Sequence, residues 1–384
     1  MKYVTSIYEI IDLLYYPAKL FAIAPYIKTR NALGERVYVR NTRQFKYFAN
    51  LTFVLIVVIA SSLARTLLEI KLRRVTLFDC IRGFIYITSQ MAAFVKILEL
   101  VQKQTSFLTC LQLIDHSDKL LKDVGVIVNY RVIHALLLMM FIVFPIYLFG
   151  MVAPVWEFYD TVQSYGFTSR EALIYIAQFI NLAYLYGIRF PSVYLYSSFA
   201  FVATQRLHSL NEYIKSIEEN GKHAYDIIDN GIICASEIHS TVTALVRKIN
   251  KTFAWSMFTT ISLSFTEIIA SIVMRGELTQ ATLGLMFFVT TVFSTTALSI
   301  LLIGERLRFE SSRIGRLLCN LTAPYNLATL NKSRSTVLYQ VLQEPPVLTA
   351  GGFYVLSAKT ITSHIGLLST VLMFFLKLRD IHNL

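Results

Sequence analysis

The chain has 384 residues, 55% of them hydrophobic and only 16% charged, with a mean hydropathy of +0.55. A soluble domain carries nearer a quarter charged residues, and several apolar runs here exceed the roughly 18 residues that cross about 30 Å of hydrocarbon. The composition therefore excludes a soluble globular protein and reads as an all-α polytopic membrane protein. The net charge of +12 raises nucleic acid as a partner, but the basic residues lie in loops between apolar runs, the usual topology signal, so nucleic acid is set aside.

The first 44 residues do not read as a cleaved signal. Their opening, MKYVTSIYEIIDLLYYPAKLFAIAPYIKTR, carries Glu9 and Asp12 and is interrupted by Pro17 and Pro25, which suits an amphipathic, partly buried cytosolic segment. Seven spans follow, at roughly 46–68, 76–102, 132–156, 172–204, 253–274, 282–303 and 347–378. Each is expected to be a helix, which satisfies its own backbone hydrogen bonds in lipid; the short alternating strands of a membrane barrel do not occur. The organisation is thus a segment 1–44, spans 1–4 within 45–204, helical extensions over 205–252, spans 5–6 within 253–303, a helix and loop over 304–346, and span 7 with a short tail over 347–384. In 205–252, Leu207, Leu210, Ile214 and Ile217 recur at helical spacing, as do Ile238, Val242, Leu245 and Ile249. Two such stripes outside a membrane need partners, either each other or neighbouring subunits.

With the N-terminus in the cytosol, the cytosolic segments hold roughly 24 Lys and Arg against roughly 8 outside, about a threefold bias. The orientation is therefore N-terminus in and C-terminus out, against the dissent of Lys71 to Arg74, which would lie outside. Cys80, Cys110, Cys234 and Cys319 show no metal spacing, and only Cys80 would lie near the outside, so neither a metal site nor a disulfide is expected. No His-Glu-x-x-His pair and no phosphate-cradling glycine loop occurs, so neither enzyme nor cofactor is expected.

Charges inside spans are costly and therefore informative. Lys96, Arg189, Glu267, Lys359 and His364 all fall there. Each either pairs with a neighbour to hold the bundle in register or, for Arg189 and Glu267 above all, lines a polar cavity open to ligand. Glu267 has Arg82 as one basic candidate partner. Aromatic residues, with 22 Tyr and 27 Phe, form an interfacial belt or a pocket in which a few amides orient a small molecule. The candidate pocket, opening outward among spans 2 to 6, comprises Tyr86, Gln90, Trp156, Gln178, Asn181, Tyr184 and Glu267.

Three stretches of the second half resemble the insect gustatory receptors, in the superfamily that also holds insect odorant receptors. QRLHSLNEYI matches an Arg-x-x-x-Leu-Asn segment. EIHSTVTALVRKINKTFAW matches a His-x-x-Leu…Ile-Asn-x-x-Phe helix, with Val242 in place of leucine. TAGGFYVL matches a Gly-x-Phe segment. The family signature of span 7, Thr-Tyr, five apolar residues and Gln-Phe, is met by Thr370 and by Leu372 to Leu376, whereas Val371, Lys377 and Leu378 replace Tyr, Gln and Phe. The resemblance implies a ligand-gated cation channel opened by a small-molecule tastant. It implies a homo- or hetero-tetramer of related subunits in the plasma membrane, embedded in lipid. Span 7 would line the shared pore through Thr370, Val371, Phe374, Lys377 and Leu378. The alternatives are a related odorant receptor or a G-protein-coupled receptor; against the latter stand the charge bias and the absence of Asp/Glu-Arg-Tyr and Asn-Pro-x-x-Tyr motifs. A transporter would show paired broken helices in matching halves, and none appears.

Overall fold

The computed structural model describes residues 6–20, 24, 26–30, 36–40, 77–135, 169–220, 225–273, 280–322 and 345–382, with single positions at 52, 56, 60, 139, 341 and 343. The chain begins with α1 (Ile7–Leu20), which buries Ile7, Ile10, Ile11, Leu14 and Ala18 at helical spacing. Glu9 in its first turn and Lys19 in its last complement the helix dipole. β1 (Tyr26–Arg30) and β2 (Arg36–Arg40) pair antiparallel, Tyr26 opposite Arg40 and Arg30 opposite Arg36. Asp12 ties this ribbon to α1 by accepting from the Tyr38 hydroxyl and from Lys28 at 2.7 Å.

Long helices make up the rest. α2 (Leu77–Gln102) and α3 (Gln104–Asp123) are nearly one rod, because Lys103 between them keeps helical bonds, donating to the Glu99 carbonyl and accepting from Phe107. α4 (Ser169–Asn220) has 52 residues and so runs about 78 Å, far more than a bilayer core. Pro191 lies inside it and removes one backbone donor. α5 (Tyr225–Thr252) passes through Phe253 into α6 (Ala254–Val273) with backbone bonds on both sides of the junction. α7 (Gln280–Thr322) is followed, beyond undescribed residues, by a small ribbon of β3 (Thr349–Ala350) and β4 (Tyr354–Val355), and then by α8 (Ala358–His382).

Packing divides the molecule into two regions. In one, α2 lies against α6 and α4, and α6 against α7 and α8. In the other, α3 packs along α5, and both lie against the second half of α4, which also runs beside α7. α1 closes over α3 and α4. There Tyr26 stacks on Phe107, ring centroids 5.1 Å apart, and Phe107 meets Phe199.

Expected spans 2 and 5 match α2 and α6 to within several residues, spans 4 and 6 lie within the much longer α4 and α7, and span 7 opens with the β3–β4 ribbon before α8. The expected first span, apart from three single positions, and most of the third lie outside the described residues. Neither helix α3 nor the β1–β2 and β3–β4 ribbons were expected. The two stripes of 205–252 are buried within this one chain: Leu207, Leu210 and Ile214 from α4, and Ile238, Val242, Leu245 and Ile249 from α5 all belong to its core. They are satisfied by α3 and by each other rather than by a second subunit.

Candidate functional site

The feature with most chemistry is a polar site between α2, α4 and α6. Arg189 Nη1 donates to both carboxylate oxygens of Glu267, at 2.7 and 2.9 Å. Its Nη2 donates to Ser264 Oγ at 2.7 Å and to the Thr260 carbonyl at 3.2 Å. Both charged residues are buried, so the pair is held in a low-dielectric place where a lone charge of either sign would be costly. Ser192 Oγ in turn donates to the Arg189 carbonyl, next to Pro191. The pair borders a cavity of about 20 Å³ lined by Ser89, Ala92, Ala93, Lys96, Arg189, Leu263 and Glu267.

One turn beyond Lys96 on α2, Glu99 caps another helix. Its Oε1 accepts the Trp255 N–H at 2.9 Å, and its Oε2 accepts the Ser256 N–H and Oγ, both at 2.7 Å. A carboxylate at the start of α6 satisfies donors that no intrahelical carbonyl reaches and complements the dipole. Lys103 Nζ, at 2.9 Å from Oε1, balances its charge.

The entry to α8 is clamped similarly. Asn250 holds the backbone before it in both directions: Nδ2 donates to the Val347 carbonyl at 2.7 Å, and Oδ1 accepts the Thr349 N–H at 2.9 Å. Gly351 and Gly352 turn the β3–β4 ribbon with φ of +63° and +77°, and Phe353 N–H closes the turn on the Ala350 carbonyl. Two successive positive φ values are what a tight type I′ hairpin requires. A Cβ on Gly304 of α7 would lie 2.3 Å from the Leu356 carbonyl oxygen, so glycine there is what lets the helix meet the ribbon. Glu305 beside it accepts the Ala358 N–H, the first of α8, at 3.0 Å. Phe353 packs among Trp255 and Phe258 of α6.

The Arg-x-x-x-Leu-Asn segment acts within the second region. Arg206 Nε donates to Asp118 at 2.6 Å, Asp118 also accepts the Tyr130 hydroxyl, and the guanidinium lies 5.0 Å from the Tyr130 ring centroid. Burial raises the Tyr130 phenol well above its ordinary value, with Arg206 opposing. Asn211 Nδ2 donates to the Glu310 carbonyl at 3.0 Å and its Oε2 at 2.8 Å, and His208 Nδ1 lies 3.1 Å from Glu310 Oε1. These residues bind α3 and α7 to α4. His239 on α5 is buried, and burial lowers its imidazole to about 4. Cys110, against Thr252, is likewise pushed up to about 12 by burial, which leaves it a packing residue.

Of the expected pocket, Glu267 reaches the cavity, paired to Arg189. Gln90 is buried on α2, in the turn between Ser89 and Ala93. Tyr86 on α2 and Gln178, Asn181 and Tyr184 on α4 are described by their backbone alone, and Trp156 lies outside the described residues. Of the expected pore set, Thr370 and Lys377 are exposed on α8, Val371 is half-buried and Phe374 is 59% exposed; of Leu378 only the backbone is described. The sequence reading missed Glu99, Asn250 and Glu305 as structural carboxylates and amide. Glu99 carries a signal, being charged inside a span, whereas Asn250 and Glu305 look like ordinary polar residues in amphipathic helices.

The class the geometry defines is a bundle of long helices with a separate second region, a buried charge pair and a clamped last helix. The family model for the 7tm chemosensory receptor matches residues 11–376, and the chain belongs to that family. No curated protein matches. The structure resembles that of the insect olfactory receptor OR5 from Machilis hrabei in complex with eugenol, with a TM-score of 0.71, 9% identity, and 97% of this chain and 98% of that chain covered. Without eugenol the same receptor gives a TM-score of 0.66 at 10% identity, with 97% and 99% covered. At that identity the likeness concerns the fold, which is the seven-helix membrane fold of the family. Among the described residues no helix is long and apolar enough to cross a membrane; the membrane placement rests on the family.

Proposed function

We propose that the chain is a gustatory receptor subunit: a ligand-gated cation channel of the plasma membrane, opened by a small-molecule tastant and assembled as a homo- or hetero-tetramer. The observation that carries this reading is the state of α8. Its entry is fixed by Asn250, Gly304 and Glu305, yet beyond that it leaves Ile365, Leu367, Met373 and Phe374 exposed in the single chain. A helix anchored at its base and bare along its length suits a wall shared with other copies around a pore. The N-terminus lies in the cytosol and the C-terminus outside, as the charge bias requires.

Ligand enters from outside between the expected spans that hold Tyr86, Gln90, Trp156, Gln178, Asn181, Tyr184 and Glu267. Movement there reaches α8 through α6, whose first turn is bonded to Glu99 and packs on Phe353. The pore is lined by Thr370, Val371, Phe374, Lys377 and Leu378. A related odorant receptor is the second reading, favoured by the likeness to a receptor solved with eugenol; eugenol and other volatile phenols therefore join sugars and bitter compounds in the ligand panel. Expression in oocytes with that panel tests the proposal. Ligand-evoked current with a cation reversal potential is expected, and a surface-exposed N-terminal tag on intact cells would sink the orientation.

A further inference from the structure

We propose that the cavity between α2, α4 and α6 is a binding site for a small monovalent anion, either a free halide or the carboxylate end of an organic acid, held by the Lys96 ammonium. Lys96 is 1% exposed and lines the cavity; among the described residues it makes no hydrogen bond and no close ion pair, although Glu267 and Glu99 lie within electrostatic reach. The acidic groups near it are already engaged. Glu267 receives two bonds from Arg189, and Glu99 receives Trp255, Ser256 and Lys103. The cavity wall thus presents two cations, Lys96 and Arg189, against the single carboxylate of Glu267.

An ammonium buried in this way is costly unless it gives up its proton or meets a counter-charge, because protein and lipid around it solvate ions poorly, and an anion in the cavity supplies that counter-charge. The space suits one. A volume of about 20 Å³ exceeds the roughly 10–15 Å³ that a single water needs, which leaves room for one small anionic group. Ser89 on the wall offers a hydroxyl donor, and Ala92, Ala93 and Leu263 supply the apolar remainder. The anion would bridge α2 to the Arg189–Glu267 pair. Binding is independent of whether the chain conducts ions.

The full chain, purified into phosphatidylcholine nanodiscs, is unfolded thermally in potassium methanesulfonate at fixed ionic strength, with chloride or acetate replacing the bulkier anion. We expect Tm to rise saturably with chloride, acetate or both, the rise to survive in Lys96→Arg, and to vanish in Lys96→Met. A response to chloride alone identifies a halide, and a response to acetate alone identifies the acid end of a larger ligand; either upholds the site. Should Lys96→Met fail to fold, Ala92→Leu fills the cavity while leaving every charge in place, and it too must lose the response. A linear, unsaturable change, or the same saturable rise in Lys96→Met or Ala92→Leu, overturns the proposal.

Discussion

Arg189 and Glu267 stand 78 positions apart in sequence and 2.7 Å apart in space. Their presence inside spans was legible, since charge in an apolar run is conspicuous; their pairing was not, because sequence separation says nothing about which helices adjoin, and Arg82 offered itself equally well. Removing one partner leaves the other as a buried lone charge. Arg189→Met is therefore expected to cost about 3–5 kcal/mol, and the double change with Glu267→Met to cost less than the single one; thermal unfolding in detergent checks both. His239 gives a second expectation. Burial lowers its folded imidazole to about 4, from an ordinary 6.5, so the unfolded chain takes up its proton first as pH falls. Its contribution is complete above about pH 6.5 and is lost progressively down to about pH 4. His239→Leu should flatten the fall in Tm across that window relative to wild type. Lys377 is exposed on α8, where four copies would place four ammonium groups around one axis. Lysine rings disfavour cations, so Lys377→Gln should enlarge cation current in whole-cell recordings; unchanged conductance and selectivity would make this lysine a membrane-edge anchor.

At the scale of elements, the long apolar runs were readable and the junctions were not. α4 and α6 read as helices from their largely apolar composition even with Arg189 and Glu267 inside them, and so does the first half of α7. α3 has the right spacing, with Phe107, Cys110, Leu111, Ile114 and Leu121 all buried, but its polar face dilutes the hydropathy by which spans are found. The β1–β2 ribbon escaped notice because Tyr26 and Tyr38 look like continuations of an amphipathic segment, and only the fold places them over Asp12 and Phe107. Caps supplied by other helices, Glu99 for α6 and Glu305 for α8, have no sequence signature, since capping boxes are read from residues three apart. The approach of α7 to the ribbon before α8 gives the sharpest test at this scale. Gly304→Ala would put a methyl 2.3 Å from a carbonyl oxygen, and overpacking of that kind costs roughly 1–3 kcal/mol. Amide exchange is expected to quicken at Thr349 to Leu356 and not in α3.

For the whole molecule, the buried stripes and the bare surfaces separate two roles that the sequence left merged. Leu210 and Leu245 are wholly inside this chain, so a charge at either should yield aggregated or unfolded protein rather than a clean monomer. Phe309 is a large apolar side chain left 56% exposed on α7 in the single chain, so in the proposed tetramer Phe309→Glu should shift the elution of folded protein in mild detergent from tetramer to smaller species. The central claim is that the assembled chain is itself the conduction path, opened by a small molecule. The purified full chain reconstituted alone into planar bilayers, with recording while a panel of small-molecule tastants is applied, tests this most directly. The account predicts single-channel openings that depend on one of the tastants and change in amplitude with Lys377→Gln. Robust tastant binding to the reconstituted tetramer with no current, in wild type and Lys377→Gln alike, would contradict it.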